Sequence, residues 1–403
     1  MKSNTVHISS LQRGEPLRLE AVSKHFGEVQ ALAEVSFVAE PGEVIAVCGP
    51  SGAGKSTLGR LISGLDVPDE GAIHLGSTLL SEQPAQKRRV AHMFESLALY
   101  PTLDVFANVA SPLKAPSHRG LFSTAEISSR VEGMLKMMDI AHLAGRRPSE
   151  LSGGQRQRVA LCRTLVQSPS LFILDEPIGH LDAKLRHRLR GEITRRQRAL
   201  DQATLWLTPD TLEGMAVADR VIMLIDGKVQ QIGSSRQVYA APANTSIARL
   251  LGDPAMNLVE VWLKQELDGL KVLCNGTRMQ VSDAFLARLA RLKASGQLRL
   301  TIGFPPLHTR LDDGAAPNRL QGEIYTVEPF GKYTLVTVEV NGVHVKAKMP
   351  AGFQGTVGSS VQIGVPVEHV LLFDHDSGAL IQDAAAPMHN KNLSEPTTIH
   401  DEA

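Results

Sequence analysis

Short apolar runs alternate with amphipathic segments through roughly the first 240 residues. Nearly every residue is apolar in four of these runs, at 43–48, 170–175, 204–208 and 220–225, so each reads as a buried strand. Helical periodicity appears at 57–65 and 125–138, and it dominates from about 103 to 165. Buried strands separated by helices predict an α/β fold, with a parallel sheet covered on both faces and a helical subdomain.

The pattern changes around 238–243. From Leu258 onward, short strand-like segments with turn signals predominate, with one helix expected at 281–294. The clearest hairpin is 334–349, where valines alternate with polar residues on both sides of Asn341-Gly342. We therefore predict a second, smaller β-rich domain in the form of a small barrel. The predicted boundaries are a flexible tail at 1–16, domains at 17–240 and 241–383, and a disordered tail at 384–403.

Composition narrows the classes of function. Lys+Arg and Asp+Glu are equal at 42 each, which argues against binding to nucleic acid through bulk charge. The three cysteines (Cys48, Cys162 and Cys274) form no CxxC pair, so neither a disulfide framework nor a zinc site is indicated. No apolar run reaches the roughly 18–20 residues that cross a bilayer, and the N-terminus lacks the apolar core of a signal peptide. We expect a cytosolic protein that meets a membrane only through a partner.

The first chemical motif is a glycine-rich loop between a predicted strand and a predicted helix. It matches the pattern GxxxxGK[ST], in which backbone N–H groups and a helix N-terminus bind phosphates. Lys55 is placed to reach the β- and γ-phosphates, and the Ser56 hydroxyl is placed to bind Mg²⁺. The predicted phosphate ligands are Gly49, Pro50, Ser51, Gly52, Ala53, Gly54, Lys55, Ser56 and Thr57.

A second motif ends the strand at 170–175 with two carboxylates. Asp175 can hold Mg²⁺, and Glu176 can orient and deprotonate an attacking water. Strands often end in acidic residues, so this motif is weak alone and becomes specific only beside the phosphate-binding loop.

Between these motifs lies Leu151-Ser152-Gly153-Gly154-Gln155, ahead of a helix predicted at 156–167. Taken alone, it reads as a helix N-cap. The longer run LSGGQRQRVALCRTL, placed between the phosphate loop and LDEP and followed by Leu181-Asp182, resembles the ABC ATPases over residues 17–240.

The resemblance implies a P-loop ATPase that forms a head-to-tail dimer and binds ATP and Mg²⁺. Ser152, Gly153, Gly154 and Gln155 would then cap the γ-phosphate of ATP bound to a partner chain. Asp182 resembles the aspartate that crosses the dimer, and Phe26 resembles the aromatic that stacks on adenine. An ordinary core position for Phe26 is an equally good reading of its spacing alone.

A weaker resemblance covers the C-terminal half. The segment from Gly322 to Asp374, with 97–101 and 181–185, resembles the OB-type domain and loops of the maltose- and glycerol-phosphate-importer ATPases. It implies the motor subunit of an importer for a carbohydrate, polyol or similar solute at the cytoplasmic face of the membrane. The implied partners are membrane permease subunits, a second ATP-binding subunit and, indirectly, a solute-binding protein. The permease subunits would contact residues 95–108.

Two positions depart from the family pattern. Glu95 stands where the family has a glutamine that contacts Mg²⁺ and the attacking water, and Pro209 stands where it has the switch histidine. Proline has no side-chain donor, so we expect ATP to bind normally but to be hydrolysed poorly at this chain's own site. A heterodimer with a competent subunit is the preferred arrangement. The alternatives are a homodimer in which His180 or Asp210 compensates, and a regulatory subunit that does not hydrolyse ATP. A DNA-repair or translation ATPase is disfavoured, since the chain has one cassette and no coiled-coil heptads.

One short basic run, Lys87-Arg88-Arg89, is expected to be an ordinary surface turn. Trp206, within an apolar run, is expected to be a core residue.

Overall fold

A computed structural model describes residues 14–116, 120–179, 181, 183–199, 201–267, 269–274, 276–294, 299–312, 318–365 and 367–381. The predicted tail at 384–403 and most of the tail at 1–16 lie outside these residues. The chain divides into two compact units, Met1–Ser235 and Arg236–Ala403. Within the described part of the chain, none of the helices combines the length and hydropathy that crossing a lipid bilayer requires.

The strands of the first unit are β1 (Leu17–Phe26), β2 (Val29–Ala39), β3 (Val44–Cys48), β4 (Glu70–Leu75), β5 (Thr78–Leu79), β6 (Val90–Met93), β7 (Leu171–Asp175), β8 (Ala203–Thr208), β9 (Arg220–Ile225) and β10 (Lys228–Gly233). Its helices are α1 (Lys55–Ser63), α2 (Val105–Ala110), α3 (Thr124–Met137), α4 (Gly153–Leu165), α5 (Ala183–Ala199) and α6 (Thr211–Val217), and α7 (Ser235–Ala240) follows at the boundary. The four predicted buried strands are confirmed as β3, β7, β8 and β9. Each begins within one residue of its predicted start and ends at the predicted residue.

The main sheet has six strands in the order β10-β9-β3-β8-β7-β6. The neighbouring pairs from β9 to β6 are parallel, and β10 returns antiparallel to β9. Strands β3, β7 and β8 are buried along their whole length, which explains their continuous apolar runs. The predicted α/β fold with a parallel sheet is confirmed.

A second, antiparallel sheet in this unit has the order β2-β1-β4-β5. The pattern of apolar and polar residues does not predict this sheet. Irregular pairing between β1 and β2 disturbs the alternation of polar and apolar residues that would identify the two strands. The buried residues of this sheet share a core with α1 and one face of the main sheet. This core contains Leu19 and Phe37 from the antiparallel sheet and Leu58 and Leu61 from α1.

The predicted helical region is confirmed as α2, α3 and α4. Their apolar faces form a second core with the other face of the main sheet, in which Val109, Val131 and Leu161 are buried beside Phe172. The parallel sheet is therefore covered on both faces, and α4 is packed against the helical subdomain on one side and the sheet on the other.

The second unit contains α8 (Thr245–Ala248), β11 (Asn257–Glu266), β12 (Gly269–Cys274), β13 (Thr277–Met279), α9 (Asp283–Ala294), β14 (Arg299–Phe304), β15 (Arg310–Asp312), β16 (Arg319–Pro329), β17 (Tyr333–Val340), β18 (Val343–Pro350), β19 (Ser360–Gly364) and β20 (Leu371–Asp374). Its strands form two five-stranded sheets, β13-β12-β11-β14-β20 and β15-β19-β16-β17-β18, that share one apolar core. The β-rich character, the helix α9 and the hairpin β17–β18 are confirmed. Asn341 and Gly342 both have positive φ, as a tight hairpin turn requires.

The prediction of an ordinary surface turn at 87–89 is wrong for Arg88, which is 3% exposed. Its guanidinium donates to the carbonyls of Leu61 and Ile62, at the end of α1, and to that of Gln83. These bonds satisfy terminal carbonyls of the helix that follows the phosphate-binding loop, where a cation is also favoured by the helix dipole. Arg88 therefore holds the far end of α1.

We expect Arg88→Met to lower the free energy of unfolding by about 2 kcal/mol, because several carbonyls lose a charged donor. Lys87→Met is the matched control, since Lys87 is exposed and should change stability by less than about 0.5 kcal/mol. Urea unfolding of both variants makes the comparison. Equal effects would mean that Arg88 does not anchor α1.

Candidate nucleotide site

The predicted site residues follow adjacent strands of the main sheet. Because β3, β8, β7 and β6 are parallel, their carboxyl ends lie at one edge. Gly49 follows β3, Pro209 follows β8, and Glu176 follows β7, while Glu95 lies two residues after the end of β6. Ligands of open α/β sheets bind at such an edge.

The loop from Gly49 to Gly54 is closely packed against neighbouring backbone. A Cβ on Gly49 would collide with the carbonyl of Leu224, and one on Gly54 with the carbonyl of Ala31. Gly54 also has φ 100°, which side chains rarely adopt. The loop therefore needs glycine at both positions, and it leads directly into the N-terminus of α1.

Lys55 is 6% exposed at the start of α1. Its Nζ donates to the carbonyls of Gly49, at 2.9 Å, and Pro50, at 2.8 Å. Burial lowers the pKa of Lys55, while the negative charges of Glu176 and Asp175 oppose that shift. The ammonium is thus folded into the loop that is predicted to bind phosphates.

Asp175 is 4% exposed, and burial raises its pKa to about 6. The hydroxyl of Ser56 lies near enough to lower this pKa, and the nearby charges of Glu95 and Glu176 raise it further. Ser56 and Glu95 therefore lie near enough to Asp175 to affect its pKa, and the role of the three residues as magnesium ligands stays a prediction. Among the described residues, no three His, Cys, Asp or Glu side chains converge closely enough to hold a metal by themselves. The oxygen donors of Ser56, Asp175 and Glu95 are of the kind that Mg²⁺ prefers. In such sites a few protein ligands bind the ion, and phosphates and water complete its coordination.

Glu176 has φ 47°, in the left-handed region that residues other than glycine rarely adopt. Two hydrogen bonds hold its backbone: its N–H donates to the carbonyl of Leu207, and its carbonyl accepts from Gln157 Nε2 at 2.8 Å. Gln157 is buried on α4, and the sequence analysis did not identify it. Its polar side chain on a buried helix face is the signal that would have drawn attention to it.

Pro209 is partly buried and is followed by Asp210, which caps α6 by accepting from the N–H of Glu213. This bond uses one carboxylate oxygen of Asp210. An ionised carboxylate accepts hydrogen bonds but donates none, so Asp210 does not replace the side-chain donor that Pro209 lacks. The other candidate, His180, lies outside the described residues. Trp206 is buried, as predicted, and its Nε1 donates to the Glu213 carboxylate at 2.7 Å.

Helix α4 begins at Gly153, three residues before the predicted start at 156. Ser152 and Gln155 form a reciprocal capping box, so the N-cap interpretation is confirmed. Ser152 and Gly153 are exposed, Gly154 is partly exposed, and a Cβ on Gly153 would meet nothing within 4 Å. Neither backbone conformation nor packing within the chain therefore requires glycine at position 153.

Phe26, at the end of β1, is 49% exposed, which does not fit an ordinary core position. The ammonium of Lys24 lies 5.5 Å from its ring centroid. Its role in stacking on adenine remains a prediction. Asp182 lies outside the described residues.

A phosphate-type loop between β3 and α1, with carboxylates at neighbouring strand ends, defines a P-loop nucleoside triphosphatase. A sequence profile described as ABC transporter matches residues 32–179, and one described as TOBE domain matches residues 300–373. The chain is also 35% identical to the sn-glycerol-3-phosphate import ATP-binding protein UgpC of Chromobacterium violaceum, over 92% of this chain and 97% of that protein. The chain therefore belongs to the family of ABC-transporter ATP-binding subunits, which are ATPases.

Other relatives agree. The maltose/maltodextrin import ATP-binding protein MalK of Vibrio parahaemolyticus is 35% identical over 90% of this chain and 95% of that protein. The solved dimeric structure of MJ0796, a bacterial ABC transporter cassette, matches with a TM-score of 0.51 at 30% identity, over 54% of this chain and 98% of that chain. A second structure of MJ0796 is described as a post-hydrolysis state bound to ADP and Pi.

We expect Asp175→Asn to stabilise the nucleotide-free protein at pH 8. The folded-state pKa of about 6 exceeds the ordinary value of 3.8, so ionised Asp175 costs the folded state stability as the pH rises through this range. A shift of about two units corresponds to at most about 3 kcal/mol. Thermal unfolding at pH 8 and pH 4.5 tests this. The gain in Tm should shrink at the lower pH, and a variant that is less stable at pH 8 would contradict the account.

Proposed function

We propose that this chain is the ATP-binding motor subunit of an ABC importer for a carbohydrate, a polyol or a similar solute such as a glycerol phosphate. The observation that carries the proposal is the near-complete alignment with import ATP-binding proteins across both units. The glycerol-phosphate and maltose relatives are equally similar, at 35% identity, so identity does not favour one of these solutes over the other.

In this proposal the loop 49–54, Lys55, Ser56 and Thr57 bind the phosphates of ATP, and Phe26 stacks on adenine. Ser56, Asp175 and Glu95 would hold Mg²⁺, which supplies charge neutralisation at the phosphates when bound. Glu176 orients and deprotonates the attacking water. The geometry in its favour is the left-handed backbone of Glu176, which two hydrogen bonds hold at the sheet edge beside Lys55.

Two ATPase subunits would enclose each nucleotide head to tail. Ser152, Gly153, Gly154 and Gln155 of one subunit would meet the γ-phosphate bound by the other, and Asp182 would lie across the same interface. Gly153 supports this proposal, because the absence of a side chain leaves open surface at a helix N-terminus, where an anion can bind. Packing within the chain does not require glycine at this position.

The chain's own hydrolytic site is proposed to be impaired. Pro209 offers no side-chain donor to the transferring phosphoryl group, and Asp210 is engaged in capping α6. Losing one preorganised donor costs a rate factor of roughly 100–1,000. Glu95 also adds a negative charge beside Asp175. The intact Ser152–Gly154 segment lets two copies of this chain enclose ATP. The impaired site favours a second ATPase subunit with an intact site as the partner in the transporter.

At the membrane, the subunit would lie on the cytoplasmic face and contact the permease subunits through residues 95–108, in a helix-in-groove contact. The exposed ring of Tyr100, together with Pro101 and Thr102, lies on this segment and supports its role as a contact surface. A solute-binding protein would act through the permease. The alternative is a regulatory subunit that binds ATP without hydrolysing it, and Pro209 is the feature that favours it.

We expect Pro209→His to raise ATP turnover by the isolated chain about 100-fold, because it restores a side-chain donor at the phosphoryl group. Pro209→Ala is the matched control, since it restores the backbone N–H but no side-chain donor, and should leave turnover low. Steady-state ATPase assays with bound-nucleotide measurement distinguish the cases. Wild-type turnover equal to that of Pro209→His would refute an impaired site. Tight ATP binding without turnover in all three proteins would favour the regulatory alternative.

We expect Gly153→Ala to leave the fold intact but to weaken ATP-dependent association at least tenfold, because its methyl group would enter the space of the opposing γ-phosphate. Gly133→Ala on α3 is the matched control: it is also an exposed helical glycine with open space around its Cβ, and alanine favours helices by up to about 1 kcal/mol. Light scattering with ATP and Mg²⁺ measures association. Equal association of both variants would contradict a γ-phosphate contact at Gly153.

A further inference from the structure

The guanidinium of Arg163, near the end of α4, contacts the segment that follows Glu95. Its Nη2 donates to the carbonyl of Leu97, and its Nη1 donates to the carbonyl of Ala98, both at 2.7 Å. The guanidinium also lies 5.6 Å from the ring centroid of Tyr100. Within the described residues, no carboxylate forms an ion pair with Arg163, so its charge is directed at this backbone.

The backbone that Arg163 contacts is strained. Leu97 has φ 62° and Ala98 has φ 43°, so two successive residues other than glycine are left-handed. Each such residue costs on the order of 1 kcal/mol or more and persists only where the surroundings hold it. A charged donor on each of the two carbonyls is such a restraint.

This restraint acts on the turn that contains Glu95. The N–H of Leu97 donates to the carbonyl of Phe94 at 2.9 Å and closes a turn with Glu95 at its second position. On the other side of the turn, β6 pairs with β7, with Met93 opposite Leu174, one residue before Asp175. Glu95 is therefore held between a strand pairing and the Arg163 contact.

The next part of the segment has its own anchor. Asn108 is fully buried, and its side chain accepts from the N–H of Tyr100 and donates to the carbonyls of Tyr100, Leu103 and Asp104. Arg163 is thus the side chain that holds residues 97–98, while Asn108 holds residues 100–104.

We propose that Arg163 is a positioning residue that fixes Glu95 near Asp175 by holding the left-handed backbone at Leu97 and Ala98. It does not touch the nucleotide itself. Since Ser152 caps the N-terminus of α4, the same helix would present that N-terminus to the partner's nucleotide and would set the position of a magnesium ligand in its own chain. The inference rests on the proposed magnesium role of Glu95.

Arg158, on the same helix, provides a matched control. Its Nη1 lies within hydrogen-bond distance of the carbonyls of Met138 and Asp139, and Asp139 is also left-handed. Arg158→Gln therefore removes an arginine contact with strained backbone on α4, but in a loop that does not lead to Glu95.

The test is the effect of magnesium on ATP affinity, measured by calorimetry on the full chain with ATP in EDTA and in excess Mg²⁺. We expect Arg163→Gln to reduce the magnesium-dependent gain in affinity about tenfold, the scale seen when a group supporting a metal ligand is lost. The affinity of Arg163→Gln for ATP in EDTA should stay within about twofold of the wild-type value. Arg163→Lys, which keeps the charge and can form one of the bonds, should fall between wild type and Arg163→Gln. Arg158→Gln should match wild type.

Glu95→Ala separates the inference from the proposed function. We expect it to reduce the magnesium effect at least as much as Arg163→Gln, and the double variant should equal Glu95→Ala alone. A normal magnesium effect in Arg163→Gln beside a reduced one in Glu95→Ala would overturn the role of Arg163 only. A normal effect in Glu95→Ala would overturn the magnesium role of Glu95 and this inference with it. The unfolding temperatures of Arg163→Gln and Arg158→Gln are also measured. Equal unfolding temperatures, together with an intermediate magnesium effect in Arg163→Lys, exclude general destabilisation as the cause.

Discussion

The arrangement of this ATPase depends on charges that meet at one edge of a parallel sheet, where Lys55 and Asp175 are buried and Glu95 is exposed. Lys55, Asp175, Glu176 and Glu95 lie close enough for each carboxylate to affect the pKa of Lys55. Three carboxylates and one ammonium leave a net negative charge, and burial raises the pKa of Asp175 to about 6. The buried charge of Asp175 is unfavourable for the folded protein alone, and a divalent cation with phosphates in the site would offset that cost.

The geometry of this edge is produced by hydrogen bonds from outside it. Gln157 holds the carbonyl of Glu176, Arg163 holds the carbonyls of Leu97 and Ala98, and both lie on α4. Arg88 secures the far end of α1. The helix that carries the exposed Ser152 and Gly153 at its N-terminus therefore also supports the backbone of the site in its own chain.

The loop 49–57 and the Asp175-Glu176 pair could be proposed from sequence, because their spacing around a strand and a helix is that of a phosphate-binding motif. The role of the segment 151–155 was proposed from the family resemblance, and the buried strands of the main sheet were predicted from their continuous apolar runs. Arg163 and Arg88 could not be identified, since they bind backbone carbonyls that carry no sequence signal. Gln157 offered one signal, a polar side chain on a buried helix face, which was missed. The antiparallel sheet of β1 and β2 was missed because its pairing is irregular. The start of α4 was placed too late because glycines conceal the first turn of a helix capped by Ser152.

The central claim is that the phosphate loop of one subunit meets the Ser152–Gly154 segment of another across bound ATP. Sedimentation velocity of the purified chain, with the nucleotide content of each species determined, tests it most directly. The account predicts that ATP with Mg²⁺ converts the chain to a dimer that holds two ATP molecules and hydrolyses them slowly, whereas ADP leaves it monomeric. Saturation with ATP and Mg²⁺ in a species that remains monomeric would contradict the account.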